Sequence, residues 1–237
     1  MKFSAVAFDL DGTLYPNFRL FVRLFPFLLK EQRLLRALGK ARNILRKSYN
    51  SNDSSASLSA EFPDVNLSGE DFYGIQAGIM GKILGQPADK VRERTERLIY
   101  RGWEPLFRKI RLFPHVKETL EAFRKGGVKM GLLSDFPPEI KLKNLGIFDC
   151  WDVVVCSEQT GRLKPDEKPF LDLAAMMGMP PEKILYVGNS VPYDVEGSRK
   201  TGMKAAHIRP GWRKYSSPKE VDFVFYDYRQ LRDYVLS

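Results

Sequence analysis

Residues 3–14 read Phe3-Ser4-Ala5-Val6-Ala7-Phe8-Asp9-Leu10-Asp11-Gly12-Thr13-Leu14. Residues 3–8 carry no charge, which predicts a buried strand of a parallel sheet. Gly12 then permits a tight turn. Asp9 and Asp11 fall where that strand ends and the chain turns. In open α/β sheets the chemistry gathers at the carboxyl ends of the strands. The stretch therefore sets two carboxylates where a catalytic pair is expected.

Working outward, the pattern of the next segment is helical. Leu34, Leu35 and Leu38 lie at helical spacing and predict an amphipathic helix, with Pro26 expected to break or kink the part before it. Residues 48–63, rich in Ser and Asn, read as a loop. Ser68 with Asp71 resembles a capping box opening a second helix, with Phe72, Ile75, Ile79 and Ile83 on one face. Pro87 suits the start of a third helix over 88–101. Residues 15–108 thus read as all-helical.

Beyond them a helix over 115–125 ends at Gly126-Gly127. Strands are predicted at 128–133, 152–156, 183–187, 204–208 and 222–226, most of them separated by helices. Alternating strands and helices imply a mostly parallel sheet with right-handed crossovers. The expected fold class is α/β: a doubly wound core formed by 1–14 and 109–237, with a helical domain, 15–108, inserted after the first strand.

A chain of 237 residues buries a sizeable core, and 43% apolar and 28% charged residues suit a globular protein. No apolar run of about 18 residues occurs, so no spanning helix is expected. Asp9 and Asp11 within the first apolar stretch argue against a secretory signal. Cys150 and Cys156 flank one strand without companion ligands and suit a reducing, cytoplasmic setting better than a disulfide or zinc site. His115 precedes a helix, His207 lies within a strand, and neither is given a role. Trp103, Trp151 and Trp212 read as core or rim aromatics.

The net charge of +9 is concentrated. Between Arg19 and Lys47 nine Lys or Arg stand against the single Glu31, a surplus of eight. A local surplus is no general nucleic-acid signature, and no specific nucleic-acid partner is expected. Three readings remain for it. A solvated helical face over an apolar stripe is preferred; steering of an anionic substrate and peripheral contact with an anionic membrane are the others. Oligomeric state is not legible.

Four segments line up at successive strand ends: Asp9-Leu10-Asp11-Gly12-Thr13, Ser134-Asp135, Lys164-Pro165, and Gly188-Asn189-Ser190 with Asp194. Asp-x-Asp-Gly alone is a weak signal, because Asp and Gly populate turns for local reasons; Ser134-Asp135 alone suits a helix cap. Their order carries the inference. A carboxylate can attack phosphorus as a covalent nucleophile, and a second can protonate a leaving oxygen and then activate water. Ser134 offers a hydroxyl and Lys164 a compact positive charge to a phosphate. Oxygen ligands beside a phosphate suit Mg²⁺.

Together the four segments resemble the haloacid dehalogenase superfamily, in its phosphatase-like branch with a helical cap after the first motif. The resemblance covers residues 3–14 and about 112–210, and the helical segment carries no matching motif. It implies Asp9 as nucleophile and metal ligand, Asp11 as general acid/base with its carbonyl on the metal, and Ser134, Asp135 and Lys164 as substrate-binding residues. It implies Asn189 and Asp194 as the remaining ligands of Mg²⁺. The usual first residue of the fourth motif is Asp. Asn189 brings an oxygen but no charge, so weaker metal binding is expected. The expected activity is hydrolysis of a small, anionic phosphorylated metabolite through an aspartyl-phosphate. Alternatives are a metal-independent dehalogenase, a phosphomutase, and a catalytically weak binding protein on the same fold. Asp11 favours the phosphatase over the dehalogenase, whose chemistry has no leaving oxygen to protonate.

Overall fold

The computed structural model describes residues 2–49, 58, 61–63, 65, 71–209 and 221–237, without the side chains of residues 19, 23, 26 and 28. The 48–63 loop for the most part, Ser68 and Trp212 lie outside the described residues.

Six strands form one sheet: β1 (Ala5–Phe8), β2 (Lys129–Ser134), β3 (Val153–Cys156), β4 (Ile184–Gly188), β5 (Lys204–Ile208) and β6 (Phe223–Phe225), in the order β3-β2-β1-β4-β5-β6. Every pairing is parallel. The central strands are buried on both faces, which is why they read as continuous apolar runs. Alternation sorts them: Val6 and Phe8 join one hydrophobic cluster, Ala5 and Ala7 the other. The doubly wound α/β class expected from the pattern is the architecture observed. The strands begin one or two residues later than the apolar runs in most cases. Asp152, for example, precedes β3 and accepts the Met130 N–H through its side chain at 2.7 Å.

Between β1 and β2 the described chain is helical: α1 (Asn17–Lys30), α2 (Gln32–Tyr49), α3 (Phe72–Leu84), α4 (Ala88–Thr95) continuing into a π-helical turn (Glu96–Tyr100), and the short α5 (Glu104–Phe107). Three expectations are corrected here. The break falls at Glu31, not Pro26. Helix α1 runs through Pro26 without its N–H, and the Glu31 N–H bonds back to Phe27 O at 2.9 Å. The cap of α3 is Asp71 itself, whose carboxylate accepts from Gly74 N at 2.7 Å. Ile83 is exposed, because α3 buries a wider face that includes Gln76 and Met80.

Leu34, Leu38, Ala41 and Leu45 of α2 pack with Phe72, Ile79 and Val91 in a cluster of their own, joined by Leu163 from beyond β3. By contrast Leu20 and Leu24 of α1 and Phe107 of α5 belong to the cluster under the sheet. The opposite face of α1 is open: Phe18, Phe21, Val22, Phe25 and Leu29 are each more than half exposed.

The remaining helices cover the sheet: α6 (Val116–Lys125), α7 (Glu139–Leu145), α8 (Glu167–Met177), α9 (Glu196–Lys200) and α10 (Tyr228–Leu236). His115 is the N-cap of α6, with φ 64°. Trp103 and Trp151 are half-buried against the core. Among the described residues no helix is long and apolar enough to cross a membrane.

Candidate active site

Strand β1 is where the sheet order reverses, flanked by β2 on one side and β4 on the other. Such a switch point opens a crevice beyond the carboxyl ends of the strands. Phe8 pairs with Leu132 and with Val187. The next residue, Asp9, therefore emerges between Ser134 at the end of β2 and Asn189 after β4.

Asp9 is buried, and its two oxygens have different partners. Oδ1 accepts from Lys164 Nζ at 2.6 Å and Oδ2 from the Thr13 hydroxyl at 2.7 Å. Lys164 also donates to Asp194 Oδ1 at 2.7 Å and to the Tyr186 hydroxyl at 3.3 Å. The other oxygen of Asp194 accepts the N–H groups of Asn189 and Ser190, at 3.1 and 3.0 Å. Asp194 thus clamps the β4 loop while balancing the ammonium. The clamp needs Gly188, since a Cβ there would collide with the Asp194 side chain. Gly12, at φ +92°, gives Asn189 the same close approach.

Burial, and then the charge of Asp194, push the Asp9 carboxyl up to about 7, against the pull of Lys164. Burial lowers the basicity of Lys164, but Asp194 and Asp9 outweigh it and hold its proton on. Ser134 is fully buried, and its hydroxyl has no partner among the described residues.

Asp11 faces elsewhere. Lys141 Nζ lies 2.7 Å from each of its oxygens, and the Tyr15 hydroxyl donates to Oδ1. Burial and the Asp11 charge raise Tyr15 well above the usual phenol range, so it remains a donor. Neither Lys141 nor Tyr15 was singled out by the sequence. Tyr15 lies four residues beyond Asp11, where a turn returns it to the same carboxylate; Lys141 arrives from α7, with no local signal.

Asp135 was expected to touch substrate. Its carboxylate is instead taken up by the Arg46 guanidinium at 2.7 Å, the Lys164 N–H at 3.2 Å and Arg42 at 3.5 Å. Burial would raise its pKa, but Lys164, Arg42 and Arg46 together hold it below the ordinary carboxylate value. Its carboxylate is thus engaged in bracing α2 and the Lys164 loop against the end of β2. Arg46 further donates to Lys164 O at 2.8 Å, and Arg42 pairs with the buried Glu158. Tyr100 donates to the same Glu158 oxygen at 3.0 Å. The basic block is therefore divided. Arg33, Arg36, Lys40 and Lys47 form an exposed face, while Arg42 and Arg46 reach the sheet's active edge. His207 holds Asn189 O at 3.0 Å from β5.

Among the described residues no three His, Cys, Asp or Glu side chains converge as a metal-holding group. Asp9 and Asp194 meet on Lys164, and Asn189 brings an amide at the fourth motif. Asp9 Oδ2 and Asn189 Oδ1 do converge, both within 3.2 Å of the Thr13 hydroxyl. An anionic and a neutral oxygen on one side of the nucleophile fit a hard cation such as Mg²⁺ in their donor chemistry.

Residues 3–202 match the haloacid dehalogenase-like hydrolases. The chain belongs to that family. Its curated relatives include a glyceraldehyde 3-phosphate phosphatase of Methanopyrus kandleri, 27% identical over 93% of this chain and 90% of the relative. A phosphoglycolate phosphatase of Salmonella typhi is 25% identical over 95% and 90%. Among solved structures, a phosphatase of the family from Thermococcus onnurineus superimposes with a TM-score of 0.61 at 26% identity, covering 98% of this chain and 97% of that one. A 2-haloacid dehalogenase from Pseudomonas syringae gives 0.64 at 20% identity and shares the fold. This family member is thus a hydrolase, and phosphatases are among its curated relatives.

Proposed function

We propose that the protein is a Mg²⁺-dependent phosphomonoester hydrolase that works through an aspartyl-phosphate on Asp9, with 15–108 as a cap over a core of 1–14 and 109–237. The observation that supports this most is the Asp9 carboxylate itself. It is aimed from the switch point by Lys164 and Thr13, and the Ser134 hydroxyl at the end of the adjacent β2 has no partner among the described residues.

Phosphoryl transfer depends mostly on positioning and charge neutralisation. Asp9 attacks phosphorus, forming a carboxylate–phosphorus bond as the ester bond breaks. Ser134 and Lys164 hold non-bridging oxygens. Asp11, positioned by Lys141 and Tyr15, delivers a proton to the leaving oxygen and later takes one from the water that cleaves the acyl-phosphate. Asp9, Asn189, Asp194 and the Asp11 carbonyl would hold Mg²⁺, which supplies charge to offset the phosphate dianion.

Hydrolysis of 4-nitrophenyl phosphate by the purified protein tests the proposal, with Mg²⁺ and after chelation. Release of nitrophenol in Mg²⁺, lost on chelation and lost in Asp9→Asn, is the expected result. An undiminished rate in Asp9→Asn rejects the nucleophile, and an undiminished rate after chelation rejects the metal.

A further inference from the structure

A cavity of about 920 Å³ opens from the catalytic edge into the helical segment, with Asp11 and Lys141 on its wall. Pockets of about 300–1,000 Å³ enclose drug-sized ligands. A two- or three-carbon leaving group would occupy a small part of this one.

The wall is mainly apolar and aromatic, with Leu24, Ala77, Met80, Ile99, Phe107 and Phe136 among its residues. Three lining residues also carry a polar atom buried behind the wall: Gln76 Oε1, Thr95 Oγ1 and Trp103 Nε1. None has a hydrogen-bond partner among the described residues. Gln76 and Thr95 are 2% and 3% exposed.

The charges on the wall are one-sided. Asp89, Glu93, Glu104 and Glu139 line it, with no ion pair to a described cation. Its cations are engaged: Arg92 with Asp71, Arg101 with Glu96 and Lys141 with Asp11. A second anionic group on the substrate would meet acidic residues here.

We infer that the leaving group is a bulky, uncharged, largely apolar alcohol. The substrate is then an amphiphilic monophosphate with its only anionic group at Asp9. This rests on the phosphatase reading and narrows it. It sets the chain apart from the relative named for phosphoglycolate, whose leaving alcohol carries a carboxylate. Asp11 on the wall places the departing oxygen at the cavity's inner end and the apolar body beyond it. Phe21, on the wall and also more than half exposed, carries the apolar lining out to the surface.

The test is a series of phosphomonoesters on the full chain in Mg²⁺: ethyl, butyl, hexyl and octyl phosphate, 2-naphthyl phosphate and phosphoglycolate. Each buried methylene, at about 0.8 kcal/mol, raises kcat/KM by roughly 3–4-fold. Octyl phosphate should exceed ethyl phosphate by at least about 100-fold, and phosphoglycolate should fall below ethyl phosphate. Ala77→Phe, which narrows the cavity, should cut the octyl-to-ethyl ratio at least about tenfold. A gain with octyl alone assigns the body to a chain, and a gain with naphthyl alone assigns it to a ring system. A flat or falling alkyl series with no gain on 2-naphthyl phosphate, or a preference for phosphoglycolate, overturns the inference. If no ester is hydrolysed, the phosphatase reading fails. Quenching of tryptophan fluorescence by octyl phosphate and not by ethyl phosphate would still support the cavity's preference, and equal response to both would overturn it.

Discussion

Arg42→Met removes the cationic half of a buried pair that joins α2 to the loop after β3. The side chains are 6% and 0% exposed, so Glu158 would be left almost wholly in protein, with no cation in its place and the Tyr100 hydroxyl still donating to it. Breaking such a pair from one side costs about 3–5 kcal/mol, because an uncompensated charge remains buried. In a chain of this size that lowers Tm by roughly 6–20 °C. The loss depends on pH. Burial already holds the Glu158 carboxyl above its ordinary value of 4.5, and Arg42 pulls it back. A carboxyl raised in the folded state favours folding below its unfolded pKa, and that contribution is lost as pH rises through the folded value. Without Arg42 the folded value rises further, so the deficit grows as pH rises above the ordinary glutamate range and shrinks toward it. Thermal and urea unfolding from that range upward measure it. The double variant Arg42→Met/Glu158→Leu removes both charges and should recover most of the loss. A single-variant loss below about 1 kcal/mol, or a double variant as unstable as the single, would refute the buried-pair argument.

Asp9→Asn should reduce kcat at least about 1,000-fold, since the covalent route is lost; steady-state hydrolysis of 4-nitrophenyl phosphate reads it. Asn189→Asp restores a charge beside Thr13 and Asp9, and should lower the half-saturating Mg²⁺ concentration about tenfold, read from a Mg²⁺ titration of activity. Gly188→Ala drives a methyl into the Asp194 side chain; it should cost about 1–3 kcal/mol by thermal melt and loosen the Lys164 clamp, lowering kcat.

The strands were legible because each is a short, mainly apolar run, and β1, β2 and β4 each end at a polar motif. The same rule located Asp9, Ser134 and Asn189, since sheet order brings strand ends together whatever their separation along the chain. Lys164 was legible through the order of the motifs. The braces were not. Lys141 lies on the short helix α7, where nothing local distinguishes an inward Lys from a solvated one. Arg42 did leave a trace: it falls among Leu34, Leu38, Ala41 and Leu45 on the buried stripe of α2, where a charge demands a partner. That partner, Glu158, is remote in sequence and invisible to periodicity. Asp135 was read through its adjacency to Ser134, while the partners of its carboxylate, two guanidinium groups and the Lys164 N–H, come from remote parts of the chain.

The place of the helical insertion also bears on how the chain is made. Ala5 pairs with Lys129 on one side and with Ile184 on the other, so the middle strand of the sheet is synthesised before both of its neighbours. At about 5–20 residues per second, it waits roughly 9–36 s for the second of them. Until β2 is made, Val6 and Phe8 have no sheet to enter. The cluster of α2, α3 and α4 draws on residues made in between and, apart from Leu163, can consolidate first. Assembly of the sheet is thus governed by its longest-range contacts, the kind that slow folding most, and a ribosome stalled before β4 would hold an open central strand.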